Sequence, residues 1–272
     1  MRLRIAKILQ CVALLLSFAY SAGAQNPDIM TPEQRTAKAK QILNQLIEAM
    51  GGQRFLAATG TQCTGRVAQF GHNGEMTGFV DFNEYWQYPD KKRTDYSKKG
   101  NVIDLFHGDQ GWTLDRGGVS EEPTSVVSDF QEALKRSVNN LLRRRLHEEG
   151  IAVRYAGIAV VDLKPVDWVE ITDADDRMIR LAVDRSTHLT VRSVAVIEDK
   201  EEGVRIEEVS LYSNYQTIDG VTIPKQVSRE RDGRRVAQVF YDNCRLNPNL
   251  APDFFTKAAL DKRFSELGGK KK

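Results

Sequence analysis

From Ile151 to Arg245 the chain alternates apolar and polar residues almost without interruption, broken only by turn dipeptides. Successive side chains of a strand point to opposite faces, so a period of two puts one face against a core or cavity and the other in water. Several such runs separated by short turns fold as an antiparallel sheet. No catalytic motif interrupts the segment, which turns the search for function toward what the inner face of that sheet holds.

The strands predicted here are Val153 to Leu163, Val166 to Asp173, Arg177 to Asp184, Thr190 to Glu198, Val204 to Tyr212, Val221 to Glu230 and Arg235 to Arg245. Asp175-Asp176, Asp219-Gly220 and Asp232-Gly233 mark turns, the last being a strong two-residue hairpin signal. An earlier meander is predicted over Thr61 to Phe70, Met76 to Gln87, Lys91 to Ser97, Asn101 to His107 and Gly111 to Asp115. Its separators are the turn-formers His72-Asn73-Gly74, Pro89-Asp90, Lys99-Gly100, Gly108-Asp109 and Gly117-Gly118.

Two amphipathic helices accompany the strands. Thr31 as N-cap, Pro32 at the first helical position and Gln34 completing a capping box start the first. Ala39, Ile42, Leu43, Leu46, Ile47 and Met50 form its apolar stripe, and Gly51-Gly52 stops it before a short turn over Gln53 to Ala58. Ser128 with Gln131 matches a second capping box, followed by Phe130, Leu134, Val138, Leu141, Leu142 and Leu146 at helical spacing until Gly150. The opposite face carries Lys135, Arg136, Asn139, Asn140 and the run Arg143-Arg144-Arg145, which reads as a solvated helix end. A last helix is expected after Pro252. Twelve strands with two covering helices and no linker make one domain, residues 25–267, followed by a basic tail at 268–272 that is expected to be disordered.

The first residues have the layout of a secretory signal: Arg2, Arg4 and Lys7, an apolar run from Ile8 to Tyr20, then Ala22-Gly23-Ala24 as a cleavage signature. A permanent membrane anchor is the alternative, although the run is short for a bilayer span and Cys11 lies away from the cleavage point. Losing the signal, residues 1–24, takes Lys plus Arg from 39 to 36 against 37 acidic residues, so the mature net charge is about −1. A near-neutral surface gives no electrostatic argument for nucleic acid. Cys63 and Cys244 survive cleavage, and in an exported protein they form either one disulfide joining the first strand to the last or a pair of buried thiols.

Signatures of catalysis and metal binding are missing. There is no G-x-S-x-G, H-E-x-x-H or C-x-x-C, and His72, His107, His147 and His188 are scattered. Asp173-Ala174-Asp175-Asp176 has the carboxylates that calcium wants but neither the glycine nor the terminal glutamate of an EF-hand, and it reads as a solvated turn. No cofactor and no metal site is expected. The aromatics are more informative. Val80, Phe82, Trp86 and Tyr88 share one strand parity, Phe106, Trp112 and Leu114 lie in the next hairpin, and Trp168 lies in the second meander. A curved sheet that turned them inward would line a cavity with them; an ordinary sheet-to-helix core is the other reading.

In this order, W-x-x-P at Trp86 to Pro89, G-x-x-x-W from Gly108 to Trp112, the pair Asp184 and Thr187, and Asp219-Gly220-Val221 leading to Pro224 resemble the LolA/LolB-like lipoprotein carrier superfamily. The resemblance covers nearly the whole mature chain. It implies an α+β fold, mainly antiparallel: a half-open curved sheet or incomplete barrel of about eleven or twelve strands covered by helices. It also implies a cavity sheltering the acyl chains of a lipid or lipoprotein, under a lid helix carrying Phe130, Leu134, Val138 and Leu141. The arginine that precedes the proline in carriers, where it helps latch the lid, is Tyr88 here, and Arg93 is the nearby substitute.

The expectation is a non-enzymatic binding protein in the periplasm of a Gram-negative-type bacterium. It would hand a lipid or acylated lipoprotein between donor and acceptor envelope proteins, with transient membrane contact. A sensor or scaffold that binds a partner protein through the sheet is the alternative. A hydrolase built on Cys63 or on a convergent His/Asp cluster is the third.

Overall fold

The computed structural model describes residues 29–268 apart from 98 and 200–202, so the expected signal segment and basic tail lie outside the described residues, Gly268 excepted. Thirteen strands are found among them. They are β1 (Gly60–Phe70), β2 (Met76–Gln87), β3 (Lys91–Asp95), β4 (Ile103–His107), β5 (Gln110–Asp115) and β6 (Gly118–Glu121), then β7 (Ala152–Val161), β8 (Lys164–Thr172), β9 (Met178–Asp184), β10 (Thr190–Asp199), β11 (Val204–Ile218), β12 (Val221–Arg231) and β13 (Arg234–Leu246). All belong to one open antiparallel sheet in the order β6-β5-β4-β3-β2-β1-β13-β12-β11-β10-β9-β8-β7. Each meander is thus contiguous, and the β1–β13 ladder joins them. On that ladder Cys63 lies opposite Cys244, and the two form a disulfide.

The largest differences from the sequence reading are one added strand and one strand that runs on. The strand β6 follows the Arg116-Gly117 turn and pairs with β5, a four-residue edge too short to show alternation. The strand β11 runs on past Tyr212 to Ile218. Asn214 takes a positive φ of 53° and the ladder resumes at Tyr215 opposite Pro224, so the polar Ser213-Asn214 step is an irregularity within the strand and not its end.

Helix α1 (Pro32–Ala49) begins on the predicted capping box: Gln34 donates its backbone N–H to Thr31 Oγ1 at 3.3 Å, and Thr31 donates to Gln34 Oε1 at 2.9 Å. Its buried residues Ala39, Ile42, Leu43 and Leu46 pack on Tyr155, Val169, Ile171 and Leu181 of β7–β9. The helix stops at Gly51, whose φ is +119°; a Cβ there would lie 2.3 Å from the Gly220 carbonyl oxygen, so only glycine lets the chain turn against β12. The turn after it is the short helix α2 (Gln53–Ala57), which seats Phe55 in the same core.

The predicted second helix is two. It starts earlier, as α3 (Thr124–Arg136) after Pro123, so Ser128 lies inside the helix and is not its N-cap. At Ser137 the backbone becomes extended (ψ 123°), and the Ser137 hydroxyl accepts from Asn140 N–H to start α4 (Val138–Arg143). The break lets Val138, Leu141 and Leu142 join the α1 core while Phe130 addresses a different part of the sheet. A fifth helix, α5 (Lys257–Glu266), capped by Thr256, lies on the opposite face of the sheet. There Phe255 and Leu260 bury Ile103, Leu105, Trp112 and Leu114. No helix among the described residues is long and apolar enough to cross a membrane.

Candidate functional site

The sheet has an inner face under α1 to α4 and an outer face that carries α5. Register assigns each predicted site residue to one of them. On β2, Val80 and Phe82 lie opposite Val67 and Gly65 of β1, and Trp86 lies opposite Thr61, whose hydroxyl is 3.4 Å from the Tyr88 hydroxyl. On the far side of β2, Phe106 joins Lys92 and Trp86 in one inner-face row across β4, β3 and β2. The Phe130 ring of α3 stacks on Phe106 at 4.4 Å and on Trp86 at 6.2 Å between centroids. Val80, Phe82, Trp86, Tyr88 and Phe106 therefore share the inner face.

Trp112, Leu114 and Trp168 do not. The Gly108-Asp109 turn sets Phe106 opposite Gly111 and Leu105 opposite Trp112, which turns Trp112 and Leu114 outward under α5. Trp168 also faces outward, packed with Val166, Ala182 and Val191, with the Arg180 guanidinium 4.7 Å from its ring centroid. Arg93 is corrected likewise: it lies opposite Tyr85 and Leu105 on the outer face, stacked on Phe254 at 4.3 Å and paired with Asp95 at 2.8 Å, so it latches nothing on the inner side.

The inner-face contact to Tyr88 comes instead from Arg143 of α4. Its guanidinium lies 4.4 Å from the Tyr88 ring and 3.9 Å from the Phe55 ring, and it donates to the Phe55 carbonyl and, at 3.2 Å, to the Ala58 carbonyl. The basic run read as a solvated helix end is therefore split. Only Arg144 is exposed. Arg145 is buried, donating to Asp173 Oδ2 at 2.9 Å and to the Lys135 carbonyl at 2.6 Å. Asp173 is buried as well and accepts from Arg145, Arg177 and the N–H groups of Asp175 and Arg177. Burial opposes ionisation of Asp173, but those donors outweigh it and hold its carboxyl down to about 2. With its oxygens occupied by donors, it is not a free ligand for calcium.

Between the region filled by α1, α2 and α4 and the region under α3 lies an apolar stretch of the inner face. Phe82, Val227 and Val239 are its buried centre, and Val67, Tyr96, Tyr212 and Tyr241 pack against them; none of these residues belongs to a helix. Tyr241 meets Phe82 edge to face at 5.7 Å. Its hydroxyl donates to Glu84 at 3.5 Å, and Glu84 pairs with Lys92 at 2.9 Å. Burial alone would push the Glu84 carboxyl up; the adjacent Lys92 ammonium overrides it and holds Glu84 below the usual range. Burial pushes the phenols of Tyr88, Tyr212 and Tyr241 up, so all three stay neutral hydrogen-bonding groups at neutral pH.

The stretch around Phe82 offers apolar surface, neutral phenols and the paired Glu84 and Lys92. Cys63 is bonded to Cys244 and has no thiolate to act as a nucleophile. Among the described residues no three His, Cys, Asp or Glu side chains are placed to hold a metal ion. A separate open hollow of about 710 Å³ runs along the solvent flank of α1 past Lys40, Asn44, Glu48 and His188.

The sequence matches no known family profile and no curated protein. The fold does match solved structures. A DUF1329 family protein from Desulfovibrio piger superposes with a TM-score of 0.59 at 15% identity, over 82% of this chain and 98% of that one. A Vibrio parahaemolyticus domain described as outer membrane lipoprotein-sorting gives 0.55 at 11% identity, over 83% and 99%. A LolA superfamily protein from Nitrosomonas europaea gives 0.51 at 15% identity, over 82% and 99%. The chain has the LolA-type fold. Of the eight residues expected to line a cavity, Val80, Phe82, Trp86 and Tyr88 share the inner face as their parity implies, and Phe106 joins them from β4. Arg143 was missed because a basic run at a helix end carries the same sequence signature whether its members are solvated or folded back.

Proposed function

We propose that the chain is an exported, non-enzymatic carrier that shelters the acyl chains of a lipid or lipoprotein against the inner face of its sheet. The observation that carries this reading is the apolar stretch around Phe82, Val227 and Val239, whose packing partners among the described residues include no helix residue although both flanking regions pack against helices. Its neighbours Tyr96, Tyr212 and Tyr241 are partly buried rings that extend the apolar surface around that centre. Each methylene transferred there from water gains about 0.8 kcal/mol, enough to hold a chain in solution but insufficient by itself to strip it from a bilayer. Loading and delivery then fall to donor and acceptor proteins. The periplasm, reached through the N-terminal signal, is the compartment that fits a carrier of this kind.

Native mass spectrometry of gently purified mature protein tests the reading. The expected result is a co-purifying mass that organic extraction identifies as an acylated molecule and that a fluorescent fatty acid displaces. Protein that is ligand-free on repeated preparation and binds no acylated probe overturns it.

A further inference from the structure

One inner-face step along β11 and β12 from the Tyr212–Val227 pair, the apolar character ends. Ser210 lies opposite Arg229, and Glu208 lies opposite Arg231. The side on which these residues project is fixed by Arg136 at the end of α3, which approaches the Glu208 carboxylate from the helix side. Arg136 Nε is 3.6 Å from Oε1, and Arg231 Nη2 is 3.7 Å from Oε2. Both distances exceed a hydrogen bond, and the Arg136 Nε is buried without a hydrogen-bond partner. Arg229 has no ion pair among the described residues, yet its charge acts on Tyr212, Tyr241 and Glu84, which places it at the apolar stretch.

Two guanidiniums thus share one carboxylate and a third stands at the neighbouring inner-face position, an excess of positive charge beside a surface suited to hydrocarbon. The other acids close by are engaged: Glu84 holds Lys92, and Glu132 holds Lys135 at 2.7 Å with Arg177 at 3.6 Å. Buried donors are ordinarily satisfied, and planar guanidinium forks match the oxygens of a phosphate or carboxylate.

Resting on the carrier reading, we infer that the ligand is an anionic amphiphile. Its chain lies on Phe82, Val227 and Val239, and its phosphate or carboxylate head is held by Arg136, Arg229 and Arg231. The step from apolar to cationic along two adjacent strands then orients the ligand as well as holding it.

The test titrates the full mature chain with four single-chain amphiphiles below their micelle-forming concentrations: palmitate, palmitoyl-lysophosphatidylglycerol, palmitoyl-lysophosphatidylcholine and monopalmitoylglycerol. At low salt at least one of the two anionic probes is expected to bind about tenfold tighter than the neutral and zwitterionic ones, with the preference shrinking as salt rises. Which anionic probe is preferred separates a carboxylate head from a phosphate head. In the double variant Arg229→Gln/Arg231→Gln the anionic affinities fall to the neutral level, and in Arg229→Lys/Arg231→Lys part of the preference returns; unchanged circular dichroism shows that each variant is folded. Equal affinities for all four probes in the unaltered protein, or a preference that survives the glutamine variant, overturns the inference and leaves the carrier reading standing. If no probe binds, both fall.

Discussion

Replacing Cys63 and Cys244 together by alanine removes the covalent tie across the seam between the two meanders. The bridge joins residues 181 apart in sequence, and chain-entropy reasoning assigns a loop of that length about 5 kcal/mol of denatured-state restriction. The native contacts at the seam stay in place, because β1 and β13 remain in register on both sides of Cys63. With a urea slope of about 3 kcal/mol per molar for a chain of this size, the unfolding midpoint falls by about 1.7 M. The three tryptophans make the two halves separately visible: Trp86 and Trp112 lie on β2 and β5, and Trp168 on β8. Urea titrations of the double-alanine protein in single-tryptophan backgrounds therefore report each meander. The expected result is a lower midpoint for both, with the two transitions separating once the staple is gone. A midpoint within about 0.3 M of the oxidised protein, coincident for both halves, refutes the idea that the bridge stabilises the seam by restricting the unfolded chain.

Three further outcomes follow from the same geometry. Asp173→Asn leaves Arg145 buried beside a neutral partner and costs about 3 kcal/mol by urea titration. Because the folded Asp173 carboxyl sits at about 2 against 3.8 unfolded, its contribution of about 2 kcal/mol is present above pH 4 and is lost as pH falls toward 2; the variant shows correspondingly less loss of stability over that window. Arg143→Met removes the stack on Phe55 and Tyr88 and the donors to two carbonyls, lowering the melting temperature by about 4 to 8 °C, with new proteolysis expected between α2 and β1. Phe130→Ala uncovers Trp86 and Phe106, shifts tryptophan emission to the red and costs about 2 kcal/mol, less than for a fully buried ring because Phe130 is only partly buried.

Legibility differs sharply between elements. The strands were readable because period-two alternation and turn dipeptides are local properties; β6 was not, since four residues carry too little pattern. Helix α1 was readable from its cap to its stop, whereas the break at Ser137 was not. The spacing of Phe130, Leu134, Val138 and Leu141 is the same whether one helix or two presents them, and the sheet's shape decides that Phe130 and Val138 need different directions. The outward turn of Trp112 was available to hairpin arithmetic, because a two-residue turn at Gly108-Asp109 forces Leu105 opposite Trp112. The outward turn of Trp168 was not, because its face is carried from β2 through ladders that slip at Thr64/Gly65, Arg229/Glu230 and Thr190/Arg192.

Local pattern was enough to specify an antiparallel sheet of two meanders, a capped amphipathic helix to cover part of it, and a pair of cysteines at the first and last strands. It also determined which residues of any one strand share a face, because the side-chain period is a property of the extended backbone. Which of the two faces lies under helices was decided only by tertiary structure, through register summed across neighbouring ladders and the breaks within them. The same holds for charge. A run of three arginines looks uniform in sequence, yet one stacks on two aromatic rings, one meets solvent and one pairs with a buried carboxylate, because each points at a different neighbour once the chain has turned.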